Sequence, residues 1–173
     1  MTGHRIPQIE VFRDLTKDEF IRIASHFRTV RFAKNEIIIR EGQMVSAFYI
    51  LMKGQLKVFL SQEGEVPENL RRRDVALNIL NEGDCFGEYS LIDKRPASAS
   101  IISIGPGAIS RISGEDLTNI LQNDDHMART IYLSMLKILI KRLRNKDREY
   151  EEIYDKLDSK TQTILKSFLP LIF

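Results

Sequence analysis

The sequence predicts a mostly-β domain of sandwich or barrel type, flanked by helices and continued by one long C-terminal helix. Three observations predict it. Short β-branched and aromatic runs alternate with turn residues from Val30 to Ile112. A helix signal precedes them. After Asn123 the chain runs to Leu169 without a glycine or proline, so nothing there breaks a helix.

The first helix opens at Thr16, with Glu19 three residues on, a capping box. Phe20, Ile23, Ala24 and Phe27 follow at helical spacing. The rhythm then changes. Val30-Arg31-Phe32 begins a strand, and Asn35-Glu36 turns into the run Ile37 to Ile39. Glu41-Gly42 turns before Ala47 to Met52, and Lys53-Gly54 before Leu56 to Phe59. Ser61 to Asp74 is polar, holds Arg71 to Arg73, and reads as a solvated hairpin tip. A strand follows at Val75 to Leu80. Ile101 to Ile104 and Ala108 to Ile112 flank the turn Gly105-Pro106-Gly107.

Helical pattern returns at Ser113, a cap with Asp116 three residues on. A second cap is available at Asn123 or Asp124, and the helix after it should run to about Leu157. At 1.5 Å per residue it reaches roughly 50 Å, longer than a small domain is wide. Tyr132, Leu136, Leu139, Leu143, Lys146, Tyr150, Ile153 and Leu157 lie on it at alternating steps of four and three. That is a heptad seam with one polar interruption at Lys146, and it predicts a homodimer. Ile131, Met135 and Ile138 mark a neighbouring face that can cover the β-domain. The expected organisation is a β-domain with its first helix over 9–123, a signalling and dimerisation helix over 124–158, and a tail or linker over 159–173.

Bulk properties narrow the function. The chain has 173 residues, 43% hydrophobic and 29% charged, with a formal net charge of +2. That balance gives no argument for nucleic acid. Bases from Lys137 to Arg148 are followed at once by Glu149, Glu151 and Glu152, which would repel phosphate. The single cysteine, Cys85, allows no intrachain disulfide and reads as a small core residue. No apolar run reaches the roughly 20 residues of a membrane span. A cytoplasmic protein, without membrane contact, is the expectation. The histidines, His4, His26 and His126, are spread out, with none among the strands and none near Cys85. Neither a metal site nor a catalytic constellation is expected, and an enzyme is not predicted.

The chemistry gathers in Gly83-Asp84-Cys85-Phe86-Gly87-Glu88-Tyr89-Ser90-Leu91-Ile92 and Pro96-Ala97-Ser98-Ala99-Ser100-Ile101. Gly87 permits close approach of backbone to a ligand, and its N–H with those that follow can cradle an anion. Glu88 accepts hydrogen bonds only when ionised, which suits a sugar hydroxyl better than a phosphate. Ser98 offers a hydroxyl and a backbone donor, and Ala97 and Ala99 keep that wall small.

This stretch resembles the phosphate-binding cassette of the cyclic-nucleotide-binding domain family, which includes catabolite-activator-type regulators, kinase regulatory subunits and gated channels. Phe12-Arg13-Asp14-Leu15-Thr16, Gly42, Phe48-Tyr49-Ile50 and Gly54-Gln55-Leu56-Lys57-Val58 extend the likeness over about residues 9 to 150. It implies a double-stranded β-helix, or jelly roll, that binds cAMP or cGMP as ligand, with no further cofactor. It also implies a site of Phe86, Gly87, Glu88, Tyr89, Ser90, Ala97, Ser98 and Ala99, with Glu88 on the ribose and Gly87, Ser98 and Ala99 on the phosphate. Arg95 is a candidate for the phosphate. Lys146 is one for the base or its pocket, because family members cap the base from the long helix.

One position departs from the family. Ligand-binding members pair an arginine with the cyclic phosphate, and the matching residue here is Ala97. A charge-assisted hydrogen bond contributes about 1.5–3 kcal/mol, so its loss weakens binding roughly ten- to a hundredfold or more. Two alternatives to a nucleotide sensor therefore stay open. One is a degenerate fold kept for dimerisation and protein contacts. The other is a sensor fragment of a transcription regulator or signalling enzyme. The stretch after Ser159 is too short for a helix-turn-helix domain, and its apolar end fits a missing output domain or downstream protein.

Overall fold

The computed structural model describes residues 9–60, 75–157 and 161. The expected hairpin tip at 61–74, His4 and most of the tail after 157 lie outside them.

A 3-10 turn at Glu10–Phe12 leads to α1, Lys17–Ala24. Its capping box forms as read: Glu19 N donates to Thr16 Oγ1 at 3.3 Å, and Thr16 N donates to Glu19 Oε2 at 2.8 Å. Phe27 lies past the end of α1. Its ring still meets Phe12 at 5.8 Å and Phe48 at 6.5 Å, both edge-on.

The strands are β1 Arg28–Phe32, β2 Ile37–Ile39, β3 Ala47–Lys53, β4 Leu56–Leu60, β5 Val75–Leu80, β6 Cys85–Phe86, β7 Ser100–Ser103 and β8 Gly107–Ser113. They form two four-stranded sheets, in the orders β1-β8-β3-β6 and β2-β7-β4-β5. Every pairing is antiparallel, and the pairs nest: β1 with β8, β2 with β7, β3 with β6, β4 with β5. A long hairpin folded over itself gives this nesting, which is the jelly roll. Each strand sends one buried residue to the common core: Phe32, Leu51, Phe86 and Ile109 from the first sheet, Ile39, Leu56, Leu80 and Ile101 from the second. β3 is covered on both faces, with Phe48 1% and Leu51 0% exposed. That is why Ala47 to Leu51 reads as an unbroken apolar run rather than an alternation.

α3, Gly114–Gln122, starts where Asp116 N donates to Ser113 Oγ at 3.0 Å. α4 spans Asp125–Asp155, and Asp124 provides its cap by accepting from Met127 N at 2.9 Å. Leu157, expected at the helix end, lies in the turn beyond it. The chain divides into two compact units that part within α4, after Ser134.

In the first unit α1 holds the start of α4. Glu19 Oε1 lies 2.6 Å from His126 Nδ1, and Arg22 pairs with Asp124. Glu19 is buried. Hydrogen bonds from His126 first, then from Thr16, hold its carboxyl at about 2 against an ordinary 4.5. A carboxylate lowered in this way stabilises the fold above its unfolded pKa, and that stability is lost as pH falls through the folded value. Acid titration of Glu19→Gln should therefore show a smaller loss of stability than the native chain between about pH 4.5 and 2. Equal losses in circular dichroism melts across that window would contradict the assignment.

Candidate functional site

The cassette hangs from β3 by backbone contacts. Gly83 N donates to Leu51 O at 2.8 Å and Leu51 N to Asp84 O at 2.9 Å, which fixes the approach. β6 then pairs with Tyr49 and Ile50, and the rings of Tyr49 and Phe86 stack at 5.0 Å and 6°. Next comes Gly87, at φ 82° and ψ 0°. Only glycine takes this conformation readily. A Cβ there would also lie 2.7 Å from Ala47 O and 2.9 Å from Tyr49 Cδ2. Sterics from two directions thus require the glycine that the sequence singles out.

α2, Glu88–Asp93, follows directly. Its buried side chains are Glu88 and Ser90, while Tyr89 is exposed. Among the described residues no buried side-chain nitrogen or oxygen lacks a hydrogen-bond partner. Leu91 covers Gly114, where a Cβ would come within 2.5 Å of Leu91 Cδ2. This seats α2 against the start of α3. The helix stops at Lys94, in the left-handed region at φ 58°. Arg95 N donates to Asp93 Oδ1 at 3.0 Å, and the Arg95 side chain is exposed.

The second half of the cassette is clamped to the loop before β3. Ala97 N donates to Gln43 O at 2.8 Å, and Gly42 N donates to Ala97 O at 2.9 Å. The Ala97 methyl packs on the edge of the common core. Ser98 is exposed, Ala99 is half-buried, and Ser100 Oγ accepts from Glu41 N at 3.0 Å. One segment, Glu41 to Ala47, therefore touches both halves: Gln43 at Ala97 and Ala47 at Gly87. Gln43, Ala47 and Tyr49 are not among the site residues expected from the sequence. The local signals near them are Gly42 and the run Phe48-Tyr49-Ile50.

The fold thus places Phe86 to Ser90 and Ala97 to Ala99 on one loop–helix–loop element. Lys146 belongs to the second unit, on α4, where its Nζ bonds Glu149 Oε2 at 2.5 Å. Tyr132, Leu136, Leu143, Tyr150 and Ile153 on that helix are exposed, while Leu139 is half-buried. Ile131, Met135 and Ile138, the neighbouring line, are buried.

The family model for the cyclic nucleotide-binding domain matches residues 29–124, more than half of the chain. The chain belongs to this family.

Relatives of the domain here include the cGMP-dependent protein kinase egl-4 of Caenorhabditis briggsae, 28% identical over 72% of this chain and 16% of the kinase. The cAMP-dependent protein kinase regulatory subunit of Dictyostelium discoideum is 33% identical over 58% of this chain and 29% of the subunit. The chain thus spans less than a third of either relative. Among solved structures, a cyclic nucleotide-binding domain from Methylobacillus flagellatus superposes with a TM-score of 0.70 at 20% identity, over 87% of this chain and 83% of that one. The Thermus thermophilus catabolite activator protein gives 0.67 at 22%, over 83% and 62%. These likenesses show the jelly roll, with helices around it. No helix among the described residues is long and apolar enough to cross a membrane.

The geometry at Gly87 sets an expected outcome. Gly87→Ala should destabilise the domain by about 1–3 kcal/mol, from left-handed strain plus the overlap with Ala47 O. Gly105→Ala, with nothing within 4 Å of its Cβ, should change stability by less than about 0.5 kcal/mol. Urea denaturation of both variants compares them. Equal midpoints would show that the Gly87 contact is relaxed at no cost.

Proposed function

We propose that this chain is a non-enzymatic intracellular regulatory module that binds cAMP or cGMP in the cassette and signals through its long helix. The observation that carries the proposal is Gly87, pressed against β3 in the left-handed region with the buried Glu88 directly after it. In this reading Glu88 accepts from the ribose hydroxyl. Gly87, Ser98 and Ala99 meet the cyclic phosphate, and Phe86, Tyr89, Ser90 and Ala97 complete the wall. Arg95, exposed on the same element, supplies a cation on the phosphate side. Relatives described as cGMP- and cAMP-dependent kinases support this ligand class. So does the regulatory domain of Toxoplasma gondii PKA, solved with cAMP, at a TM-score of 0.62.

The output is the seam on α4. Leu143 is 62% and Tyr150 68% exposed. Apolar side chains repeating at heptad spacing, open to water in one chain, fit a second copy. A ligand that favours one arrangement of that helix would change the dimer by its differential affinity alone.

Ala97 favours a second reading, in which the fold serves dimerisation and protein contacts without a nucleotide. Its methyl packs on the core, so the phosphate side lacks the arginine that the family places there. Calorimetry against cAMP, cGMP and a cyclic dinucleotide separates the two. Saturable binding of a mononucleotide is expected, weakened about tenfold in Glu88→Gln by loss of a charge-assisted bond. Ala97→Arg should tighten it about ten- to a hundredfold. Absence of heat and of thermal shift at millimolar nucleotide would favour the second reading. For the seam, Leu139→Glu with Leu143→Glu should sediment as a folded monomer. A native chain already monomeric at tens of micromolar (an order-of-magnitude threshold for such a seam) would contradict the dimer.

A further inference from the structure

We infer that Ser98 is an acceptor for an arginine-directed protein kinase, and that a phosphate placed there closes the cassette to nucleotide. The closure rests on the nucleotide reading above; the acceptor does not. The loop itself carries the first half. Lys94-Arg95-Pro96-Ala97-Ser98 follows α2 as neither helix nor strand, and Lys94, Arg95, Pro96 and Ser98 are exposed. Pro96 cannot continue the helix, and it biases the residue before it toward extended backbone. The bonds from Ala97 N to Gln43 O and from Gly42 N to Ala97 O hold the main chain between the cations and the serine. The side chains on either side of that clamp stay open to solvent.

Ser98 differs from the hydroxyls around it. Ser90 is buried, and Ser100 Oγ accepts from Glu41 N at 3.0 Å. Ser98 Oγ has no hydrogen-bond partner among the described residues. Arg95 stands three residues before it and Lys94 four. Two other exposed hydroxyls, Thr29 and Ser46, have His26 and Gln43 at the third residue before them, and neither is a permanent cation. An arginine-directed kinase reads a guanidinium at that spacing with carboxylates of its own, by charge-assisted hydrogen bonds. In the transfer Ser98 Oγ forms a bond to the γ-phosphorus of ATP. The bond from that phosphorus to the β,γ-bridging oxygen breaks, ADP leaves, and the hydroxyl proton passes to the base of the kinase.

The product changes the site by charge. Phosphoserine carries about −1.5 to −2 charges and three acceptor oxygens at neutral pH. On the nucleotide reading the cyclic phosphate meets Ser98, so two anions would share one small wall. Lys94 and Arg95 are the nearest cations in sequence, and pairing with the new phosphate takes them from the ligand. Ala97 brings no guanidinium to offset the loss. Repulsion between anions a few ångströms apart should weaken a cyclic mononucleotide at least about a hundredfold.

Phosphate transfer to the full chain tests both halves. The chain is incubated with ATP and the catalytic domain of an arginine-directed protein kinase, beside a peptide of residues 92–101. Mass spectrometry then maps the phosphate. Modification at Ser98 is expected, slowed about tenfold in Arg95→Gln by loss of a charge-assisted bond and partly recovered in Arg95→Lys. A peptide that is modified while Ser98 of the folded chain is not would overturn the acceptor. So would equal rates for the native chain and Arg95→Gln. The phosphorylated chain is next titrated with cAMP and cGMP in a calorimeter, before and after treatment with a phosphatase. Loss of binding that returns on dephosphorylation is expected. Equal affinity in the two forms would overturn the closure and leave the acceptor standing. An unmodified chain that binds neither nucleotide would overturn the proposed function and the closure with it, while the mapped phosphate still decides the acceptor.

Discussion

The site depends on one close approach: the backbone of Gly87 lies against the carbonyl of Ala47 and the ring of Tyr49. Nothing larger than glycine fits between the cassette and β3, and few other residues adopt φ 82°. That single contact turns the chain out of β6 and into α2, which places Glu88 inward and Tyr89 outward. β3 can serve as the anchor because it is buried on both faces and pairs with both β6 and β8. The clamp from Gln43 and Gly42 to Ala97 anchors the other half of the cassette to the same segment. The segment from Glu41 to Ala47 thus holds the cassette on both sides of α2, at Gly87 before it and at Ala97 after it.

Ala97 separates shape from charge. The backbone at that position is held by two hydrogen bonds, and the small side chain packs on the core. The arginine of the family's ligand-binding members contributes its guanidinium to the phosphate, while the path of the main chain here is set by Gln43 and Gly42. A jelly roll can therefore keep its cassette geometry after that charge has gone. What changes is the affinity term, about 1.5–3 kcal/mol for a charge-assisted bond, which is large against most single contacts and small against the stability of a domain.

Much of this was legible in the sequence because it is local. The Thr16–Glu19 box and the caps at Ser113 and Asp124 each need three residues, and all form. The strand runs were read from β-branched residues between turns. β6 was missed because two residues carry no periodicity. The two apolar lines of α4 were separable at helical spacing, and their burial differs as that spacing suggests. The contacts that close the site were not legible. Gln43 meets Ala97 only because β2 and β7 pair and bring their loops together. Glu19 meets His126 across 107 residues, so a glutamate read as a cap and a histidine read as isolated became one pair, a buried carboxylate against an exposed ring. Side-chain pattern reports what is near in sequence, and the nested pairing of a jelly roll brings its ends together afterwards.

The central claim is that the element from Phe86 to Ala99 receives a cyclic nucleotide. Amide NMR of the full chain, titrated with cAMP and with cGMP, tests it most directly, because the N–H groups of Gly87, Glu88, Ser98 and Ala99 would all feel a bound cyclic phosphate. Saturable shifts centred on those four amides are expected, with smaller ones at Gln43 and Tyr49, and a response along α4. Shifts that are absent at millimolar nucleotide, or that saturate elsewhere on the roll and leave these amides unmoved, would contradict it.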